Sequence, residues 1–232
     1  MRINFVGLTL TRTKNIDPQL RFSEFFRNIV QESDLVIDVG ANKGQFIKKL
    51  IDIDYKNDII AVEPTHEAFE YLKNKYEKLP KIEFLKTAIG SQRKILEINI
   101  ASNNAESSSV LEFTNWHSVG APSITMKSKE KIKQVTLKSI MDKTKKRAIF
   151  IKVDVQGYEL EVLKGIGNKN WPRIKGLIVE VNLVETYKNA PLIEEVLDFM
   201  RKKNFRPLRI EPGFGLANFG QQLQADILFV RN

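Results

Sequence analysis

The 232-residue sequence contains no cysteine and only two histidines, His66 and His117. The lack of cysteine excludes disulfides, thiolate nucleophiles, iron–sulfur clusters and cysteine-ligated zinc, and two histidines are too few for a multi-histidine metal centre. Asp154 and Glu180 could together hold a divalent cation through their oxygens, but no residue spacing in the sequence requires one, and we predict no metal site. The longest uncharged stretches, residues 113–126 and 212–225, are rich in polar side chains, so neither is a candidate membrane span. A signal-peptide cleavage site is also missing after the apolar start MRINFVGLTL, and we expect a cytoplasmic protein.

The composition is that of a folded domain, with 42% hydrophobic and 28% charged residues. The 37 Lys and Arg outnumber the 28 Asp and Glu, which gives a net charge of +9. Much of this excess lies in residues 127–147, where nine basic residues accompany two acidic ones. We interpret this segment as solvated surface. The alternative is attraction of an anionic partner, although nucleic acid is disfavoured because the segment has no aromatic residue for base stacking.

Short apolar runs alternate with segments of helical periodicity along the chain, which predicts an α/β fold with a largely parallel sheet covered on both faces. The predicted helices are residues 22–31 and segments that follow Gly44, Thr65, Asp154 and Pro191. The predicted strands are 35–39, 59–62, 82–85, 95–100, 149–154 and 176–181, with 206–210 and 225–230 as closing strands. Residues 101–125 are expected to be irregular.

Acidic residues stand at the ends of four predicted strands: Asp38, Glu63, Asp154 and Glu180. In open α/β sheets, ligands bind outside the carboxyl ends of the parallel strands. Four acids at these positions are more than solubility requires. The pattern predicts that they surround a ligand site.

The segment DVGANKG, residues 38–44, connects the first of these strands to its helix. Its G-x-x-x-G spacing is neither the G-x-G-x-x-G of dinucleotide enzymes nor a phosphate-binding P-loop. The carboxylate of Glu63, at the next strand end, can accept hydrogen bonds from the hydroxyls of a ribose. Ribose recognition without a diphosphate loop favours S-adenosylmethionine as the cofactor. The alternative is that Asp38 caps a turn and Glu63 is a solvated strand end.

Several motifs together resemble the FkbM family of class I S-adenosylmethionine-dependent methyltransferases. They are LVIDVGANKGQF (35–46), IIAVEPTHEAFEYL (59–72), FLKTAIG (84–90), NNAESSSVL (103–111), IFIKVDVQGYELEVLKG (149–165), LIVEVNL (177–183) and ADILFVR (225–231). The resemblance runs from about residue 34 onward. Its most specific motif is the stretch at residues 149–165. It implies a Rossmann-like, mostly parallel seven-stranded sheet with helices on both faces and an antiparallel last strand.

The resemblance also implies roles for individual residues. Asp38, Gly40 and Gly44, with Asn42 in the same turn, would hold the methionine part of the cofactor. Glu63 would bind the ribose, and Ala88 would lie against the adenine. The family transfers methyl groups mainly to hydroxyl oxygens, often on sugars or natural products, so the expected acceptor is a hydroxyl-bearing small molecule or glycan that could be anionic.

Three residues are candidate general bases for such a transfer. Asp154 ends a strand that faces the expected cleft, and Lys152 shares its face and could keep it ionised. Asp154 could instead, or in addition, cap the next helix. Glu180 is the second candidate, with a structural carboxylate as its alternative. His117 has a suitable pKa for a base, although a loop histidine is more often simply exposed.

Two other functions stay open at this point. One is an RNA or other nucleic-acid methyltransferase, which fits the cofactor motifs and the positive charge. The other is a non-catalytic scaffold that binds the cofactor. Residues 1–33 carry none of the family motifs, so we expect a helical flank there, followed by a methyltransferase domain over residues 34–232. The oligomeric state is not predicted.

Overall fold

The computed structural model describes residues 2–5, 8–11, 26–103, 105–216 and 220–232. Its strands are β1 (Arg2–Phe5), β2 (Leu8–Thr11), β3 (Leu35–Val39), β4 (Asp58–Val62), β5 (Ile82–Leu85), β6 (Ala88–Ile89), β7 (Lys94–Ala101), β8 (Met126–Val135), β9 (Ile149–Val153), β10 (Ile174–Asn182), β11 (Phe205–Pro212), β12 (Gly215–Leu216), β13 (Gln221–Gln222) and β14 (Gln224–Arg231). Residues 26–31 are helical and are called α1. The other helices are α2 (Gln45–Asp52), α3 (His66–Tyr76), α4 (Asn115–Gly120), α5 (Leu137–Met141), α6 (Glu159–Lys164) and α7 (Ile193–Lys202), with a 3₁₀ turn at Trp171–Arg173.

The main sheet has seven strands in the order β11-β14-β10-β9-β3-β4-β5. The pairs β10–β9, β9–β3, β3–β4 and β4–β5 are parallel, whereas β14 runs antiparallel to both β10 and β11. This arrangement confirms the predicted Rossmann-like sheet with its antiparallel last strand.

The central strands are buried on both faces, as expected for a parallel sheet between two layers of helices. In β3 all five side chains are buried, and in β9 four of five are. Successive side chains of a strand point to opposite faces. On one face Ile37 and Ile151 belong to a core that includes side chains of α5, α6 and α7. On the other face Val36 and Phe150 belong to a core that includes side chains of α1, α2 and α3.

The predicted strand 95–100 is part of β7, but it does not join the main sheet. It pairs antiparallel with β8 in a separate three-stranded sheet of order β6-β8-β7. The basic segment 127–147, interpreted as solvated surface, contains β8 and α5. The predicted irregular region 101–125 contains the short helix α4.

Strand β8 was not predicted from the sequence, because lysines occupy its exposed face. Lys127, Lys129, Lys131 and Lys133 alternate with inward-pointing residues, among which Ile132 and Gln134 are buried. The alternation of exposed and inward-pointing residues is therefore present, but most of the inward-pointing residues are polar.

In the N-terminal flank, β1 pairs with β2 in an antiparallel direction, and α1 is helical. Residues 22–25 of the predicted helix lie outside the described residues, and the division at residue 33 stays a prediction. Among the described residues, no helix has the length and apolar character needed to cross a membrane.

Candidate active site at the carboxyl ends of the sheet

A cavity of about 610 Å³ opens at the carboxyl ends of β3, β4 and β9. This volume lies within the range of roughly 300–1,000 Å³ that is usual for small-molecule sites. Five of the predicted site residues line the cavity: Gly40, Asn42, Glu63, Ala88 and Asp154. Four others do not: Asp38, Gly44, Glu180 and His117.

The loop after β3 depends on two glycines in the left-handed region. Gly40 has φ 81°, and a Cβ placed on it would lie 1.8 Å from the carbonyl oxygen of Asp154. Gly44 has φ 84°, and its Cβ would lie 2.3 Å from the ring of Tyr76, whose hydroxyl donates to the Gly44 carbonyl at 3.1 Å. Gly40 thus lets two strand ends meet under the cavity, while Gly44 packs the start of α2 against α3.

Glu63 is a buried carboxylate that joins two loops, not a solvated strand end. Its Oε2 accepts from the backbone N–H of Asn42 at 2.9 Å. Its Oε1 accepts from the backbone N–H of Thr65 at 2.9 Å and from the Thr65 hydroxyl at 2.6 Å. Burial raises the pKa of Glu63, although these bonds oppose the rise. A carboxylate oxygen accepts about two hydrogen bonds, so Oε2 retains a position for a ligand hydroxyl.

Lys152 connects β9 to the acids at the ends of β3 and β9. Its Nζ donates to the carbonyl of Gly40 at 2.9 Å and lies 3.1 Å from Asp154 Oδ2 and 3.6 Å from Asp38 Oδ1. Burial opposes the charge of Lys152, but the two carboxylates outweigh it and raise the pKa of Lys152. Burial raises the pKa of Asp38, which is fully buried and makes no hydrogen bond through its side chain with the described residues. Asp38 therefore acts on the cavity through Lys152.

Asp154 and Glu180 are joined by one amide. Gln156 Nε2 donates to Asp154 Oδ1 at 2.8 Å and to Glu180 Oε2 at 3.0 Å. Gln224 Nε2 also donates to Glu180 Oε2, at 2.9 Å. Burial raises the pKa of Glu180 well above its ordinary value, and the nearby Asp154 adds to the rise. Glu180 is thus a half-buried carboxyl group outside the cavity lining, linked to Asp154 by Gln156.

The helix that follows β9 is not capped by Asp154. The backbone N–H groups of Val155 and Gly157 donate to Glu159 Oε1, each at 3.0 Å. Burial raises the pKa of Glu159 to about 7. Because Glu159 takes this structural position, Asp154 is left to face the cavity.

His117 is buried and lies away from the cavity lining. Its ring stacks on Phe113, with centroids 3.6 Å apart and an interplanar angle of 7°, and Tyr187 and Phe214 lie near it. Burial lowers the pKa of His117 to about 4. The structure thus gives His117 a packing position in an aromatic cluster, not the exposed position that is usual for a loop histidine.

The structure adds cavity residues that the sequence did not single out, among them Lys49, Gln156, Tyr158 and Asp226. Asp226 could have been predicted from the sequence, since it is the acid that precedes the apolar run of the last strand. It was missed because the strand-end rule was applied only to parallel strands. The antiparallel β14 brings its N-terminal end to the edge where its neighbours have their carboxyl ends. No set of three or more His, Asp or Glu side chains in the described ranges has the arrangement to hold a metal ion.

Solved structures with the same fold include several methyltransferases. The methyltransferase domain of bacterial CtHen1-C aligns with a TM-score of 0.50 and 10% identity, covering 92% of this chain and 98% of the other. A candidate tRNA (m1A22) methyltransferase from Streptococcus pneumoniae, in complex with S-adenosyl-L-methionine, aligns with a TM-score of 0.50 and 10% identity, covering 91% and 72%. An rRNA methylase from Streptococcus thermophilus aligns with a TM-score of 0.49 and 10% identity, covering 94% and 99%. At this identity the likeness concerns the fold.

No curated protein matches the sequence significantly. The family described as Methyltransferase FkbM domain matches residues 38–207, well over half of the chain. The matched range includes the loop after β3, Glu63 and the β9 motif. The cavity fits S-adenosylmethionine, because Glu63 offers a free acceptor position beside the glycine loop. The chain therefore belongs to the FkbM family of S-adenosylmethionine-dependent methyltransferases.

Proposed function

We propose that this methyltransferase acts on a hydroxyl oxygen of a sugar, a glycan or a natural product. The observation that supports this most is the composition of the cavity, which places the carboxylate of Asp154 on the same surface as Gly40 and Glu63. Carboxylates are acceptors that suit hydroxyl groups. The cytoplasmic location predicted from the sequence belongs to the same proposal.

Different residues of the cavity bind different parts of the cofactor. The turn of Gly40 and Asn42 holds the methionine part of the cofactor, Glu63 binds the ribose, and Ala88 lies against the adenine. The bound cofactor supplies a methyl group activated by its sulfonium. Holding both reactants in line removes up to ~7–11 kcal/mol of the barrier, and a carboxylate that assists the hydroxyl adds about 10²–10⁴-fold. Of the three bases predicted from the sequence, Asp154 is the one that lines the cavity, and Gln156 links it to Glu180.

Replacing Glu63 with Ala tests the cofactor site. We expect the affinity for S-adenosylhomocysteine, measured by calorimetric titration, to fall about 10–100-fold, as for the loss of a hydrogen bond to a charged group. The exposed Glu83 on β5 provides the control, and Glu83→Ala should bind as wild type does. NAD should not bind. Unchanged binding by Glu63→Ala would refute the assignment, and wild-type protein that binds S-adenosylhomocysteine but methylates none of a panel of hydroxyl acceptors would favour the scaffold function.

A second candidate function is methylation of RNA, and one surface feature favours an anionic acceptor of some kind. Lys127, Lys129, Lys131 and Lys133 lie on one face of β8, about 6.8 Å apart from one to the next, and form no ion pair within the described ranges. The neighbouring strand β7 contributes Ile98 to the cavity wall. One of the structural relatives is described as acting on tRNA.

Reversing these four charges to Glu tests the role of this lysine face. We expect the variant to elute from a heparin column, whose ligand is a sulfated glycan, at clearly lower salt than wild type. A control with the same charge change replaces Lys73, Lys78, Lys143 and Lys169, which are exposed and without ion pairs in the described structure. Equal elution shifts in both variants would reduce the effect to net charge. Tight RNA binding with a steep salt dependence, lost only in the first variant, would favour the RNA function.

A further inference from the structure

The cavity is longer than the part that the cofactor residues occupy. Glu63, which follows β4, lines one part of it, and Ile178 on β10 and Asp226 on β14 line another. The strand order β14-β10-β9-β3-β4 separates the two parts by four strand spacings. At about 4.8 Å each, the strands β4 and β14 lie roughly 19 Å apart. A cofactor with its ribose at Glu63 and its methionine part at Gly40 leaves the surface over β10 and β14 for another molecule.

The strand register places three acids at one level of this surface. Lys152 pairs with Ile178, so Asp154 and Glu180, each two residues further on, lie at the same level. Glu180 pairs with Asp226 on β14. Side chains two apart on a strand share a face. Asp154, Glu180 and Asp226 therefore form a row across three neighbouring strands.

The three acids differ in what already binds them. Asp154 has Lys152 at one oxygen and Gln156 at the other. Glu180 accepts two amide hydrogens and does not line the cavity. Asp226 lines the cavity, and its carboxylate makes no hydrogen bond or ion pair with the described residues. Asp226 is thus the acid whose oxygens are available to a ligand.

The cavity lining beside Asp226 combines apolar and charged side chains. Phe26, Phe46 and Ile178 are the apolar members, and Lys49 and Asp52 from α2 are charged. Phe26 and Phe46 pack edge to face with centroids 6.0 Å apart. A carboxylate on an apolar aromatic wall suits a compact molecule that has hydroxyl groups on one side and C–H groups on the other, such as a sugar ring or a hydroxylated natural product.

We propose that this part of the cavity is the acceptor subsite and that Asp226, not Asp154, takes the proton of the methylated hydroxyl. The inference rests on the methyltransferase function proposed above. The acceptor oxygen forms a bond to the methyl carbon while the bond from that carbon to sulfur breaks. The hydroxyl proton passes to the Asp226 carboxylate, which releases it to solvent, and the sulfonium becomes a neutral thioether. Asp154, held by Lys152 and Gln156, fixes the wall between the two subsites.

The electrostatic surroundings of Asp226 suit a proton acceptor. Burial raises the pKa of Asp226, and Asp154 and Glu211 add to the rise, whereas Lys152 and Lys49 oppose it. The paired Glu180 is a further acid beside it. A base with a raised pKa takes a hydroxyl proton more readily. Because Asp226 must be ionised to act, transfer should fall as the pH drops below this raised value.

A bisubstrate ligand tests the subsite without knowledge of the natural acceptor. The probe is an S-adenosylhomocysteine analogue in which nitrogen replaces sulfur and carries a dihydroxypropyl arm, and its reference compound carries a methyl group instead. We expect wild-type protein to bind the probe about tenfold or more tightly than the reference in calorimetric titrations, as for a hydrogen bond to a carboxylate. Asp226→Asn should lose this gain yet bind S-adenosylhomocysteine as wild type does. Glu211→Gln, which changes the next acid of the row outside the cavity, should keep it.

Each outcome has a distinct meaning. If the arm gives no gain in wild type, or if Asp226→Asn keeps the gain, the subsite is wrong. If Asp154→Asn alone loses it, the acceptor hydroxyl belongs to Asp154. If wild-type protein fails to bind S-adenosylhomocysteine itself, the proposed function fails first. In transfer assays on any acceptor found in the panel, Asp226→Asn should lower kcat about 100-fold or more and remove the acid limb of the pH profile.

Discussion

Replacing Lys152 with Met should lower the free energy of unfolding by about 3–5 kcal/mol, because removal of one partner from a buried ion pair leaves uncompensated charge. The Lys152 side chain is 13% exposed and the Asp38 side chain is fully buried. The ammonium also donates to the Gly40 carbonyl, and it lies beside Asp154. Met has a similar length, but it carries no charge and has no hydrogen-bond donor in its side chain. Urea unfolding followed by circular dichroism measures the change.

Two further variants separate the charge effect from a general loss of packing. Lys48→Met removes an ammonium whose ion pair with Asp52 is more than half exposed on both sides, and it should leave the unfolding midpoint where it is in wild type. Asp38→Asn added to Lys152→Met should restore part of the lost stability, since it removes the buried charge that has lost its partner. A double variant no more stable than Lys152→Met would contradict the electrostatic explanation.

The main sheet was predictable because its strands are short apolar runs with acids at their ends. In β3, β4 and β9 burial on both faces makes the run continuous, and the helices between them show apolar stripes. The antiparallel direction of β14 was implied by the family resemblance, whereas the order of the strands was not predicted. Hydrophobic periodicity alone does not determine which strands lie next to each other in a sheet.

The small sheet was only partly predictable. β7 is visible as the run 95–100, but on the inner face of β8 only Ile132 is both apolar and buried. Its pairing with β7 is a contact between segments some 30 residues apart. The local sequence of β8 does not indicate such a pairing, because the exposed residues of the strand are lysines.

The cofactor end of the site could be read from the sequence, whereas the contacts within it could not. The strand-end rule found Asp38, Glu63, Asp154 and Glu180. It could not show that Lys152 separates Asp38 from the cavity or that Gln156 joins Asp154 to Glu180. These contacts depend on the register between β3, β9 and β10. Likewise, the burial of His117 follows from the aromatic residues that fold around it, two of which lie 70 or more residues along the chain.

Gly40→Ala is expected to have the second large effect, since Gly40 lies where the loops after β3 and β9 meet. An alanine Cβ would lie 1.8 Å from the Asp154 carbonyl oxygen, and φ 81° is a left-handed conformation. Together, overpacking of about 1–3 kcal/mol and left-handed strain of about 1–2 kcal/mol predict a loss of about 2–5 kcal/mol in the free energy of unfolding. The forced movement also displaces the cavity wall, so affinity for S-adenosylhomocysteine should fall more than about tenfold.

Gly220→Ala isolates the strain from the clash. Gly220 also has a left-handed φ, 62°, but a Cβ placed on it would meet no atom of the described residues beyond its chain neighbours within 4 Å. Its cost should be limited to about 1–2 kcal/mol, with unchanged binding of S-adenosylhomocysteine. If both variants lose the same stability and both keep their affinity, the contact between Gly40 and Asp154 does not shape the cofactor site. If only Gly40→Ala loses affinity, the close approach of these two loops is a requirement of cofactor binding, and only glycine meets it at this position.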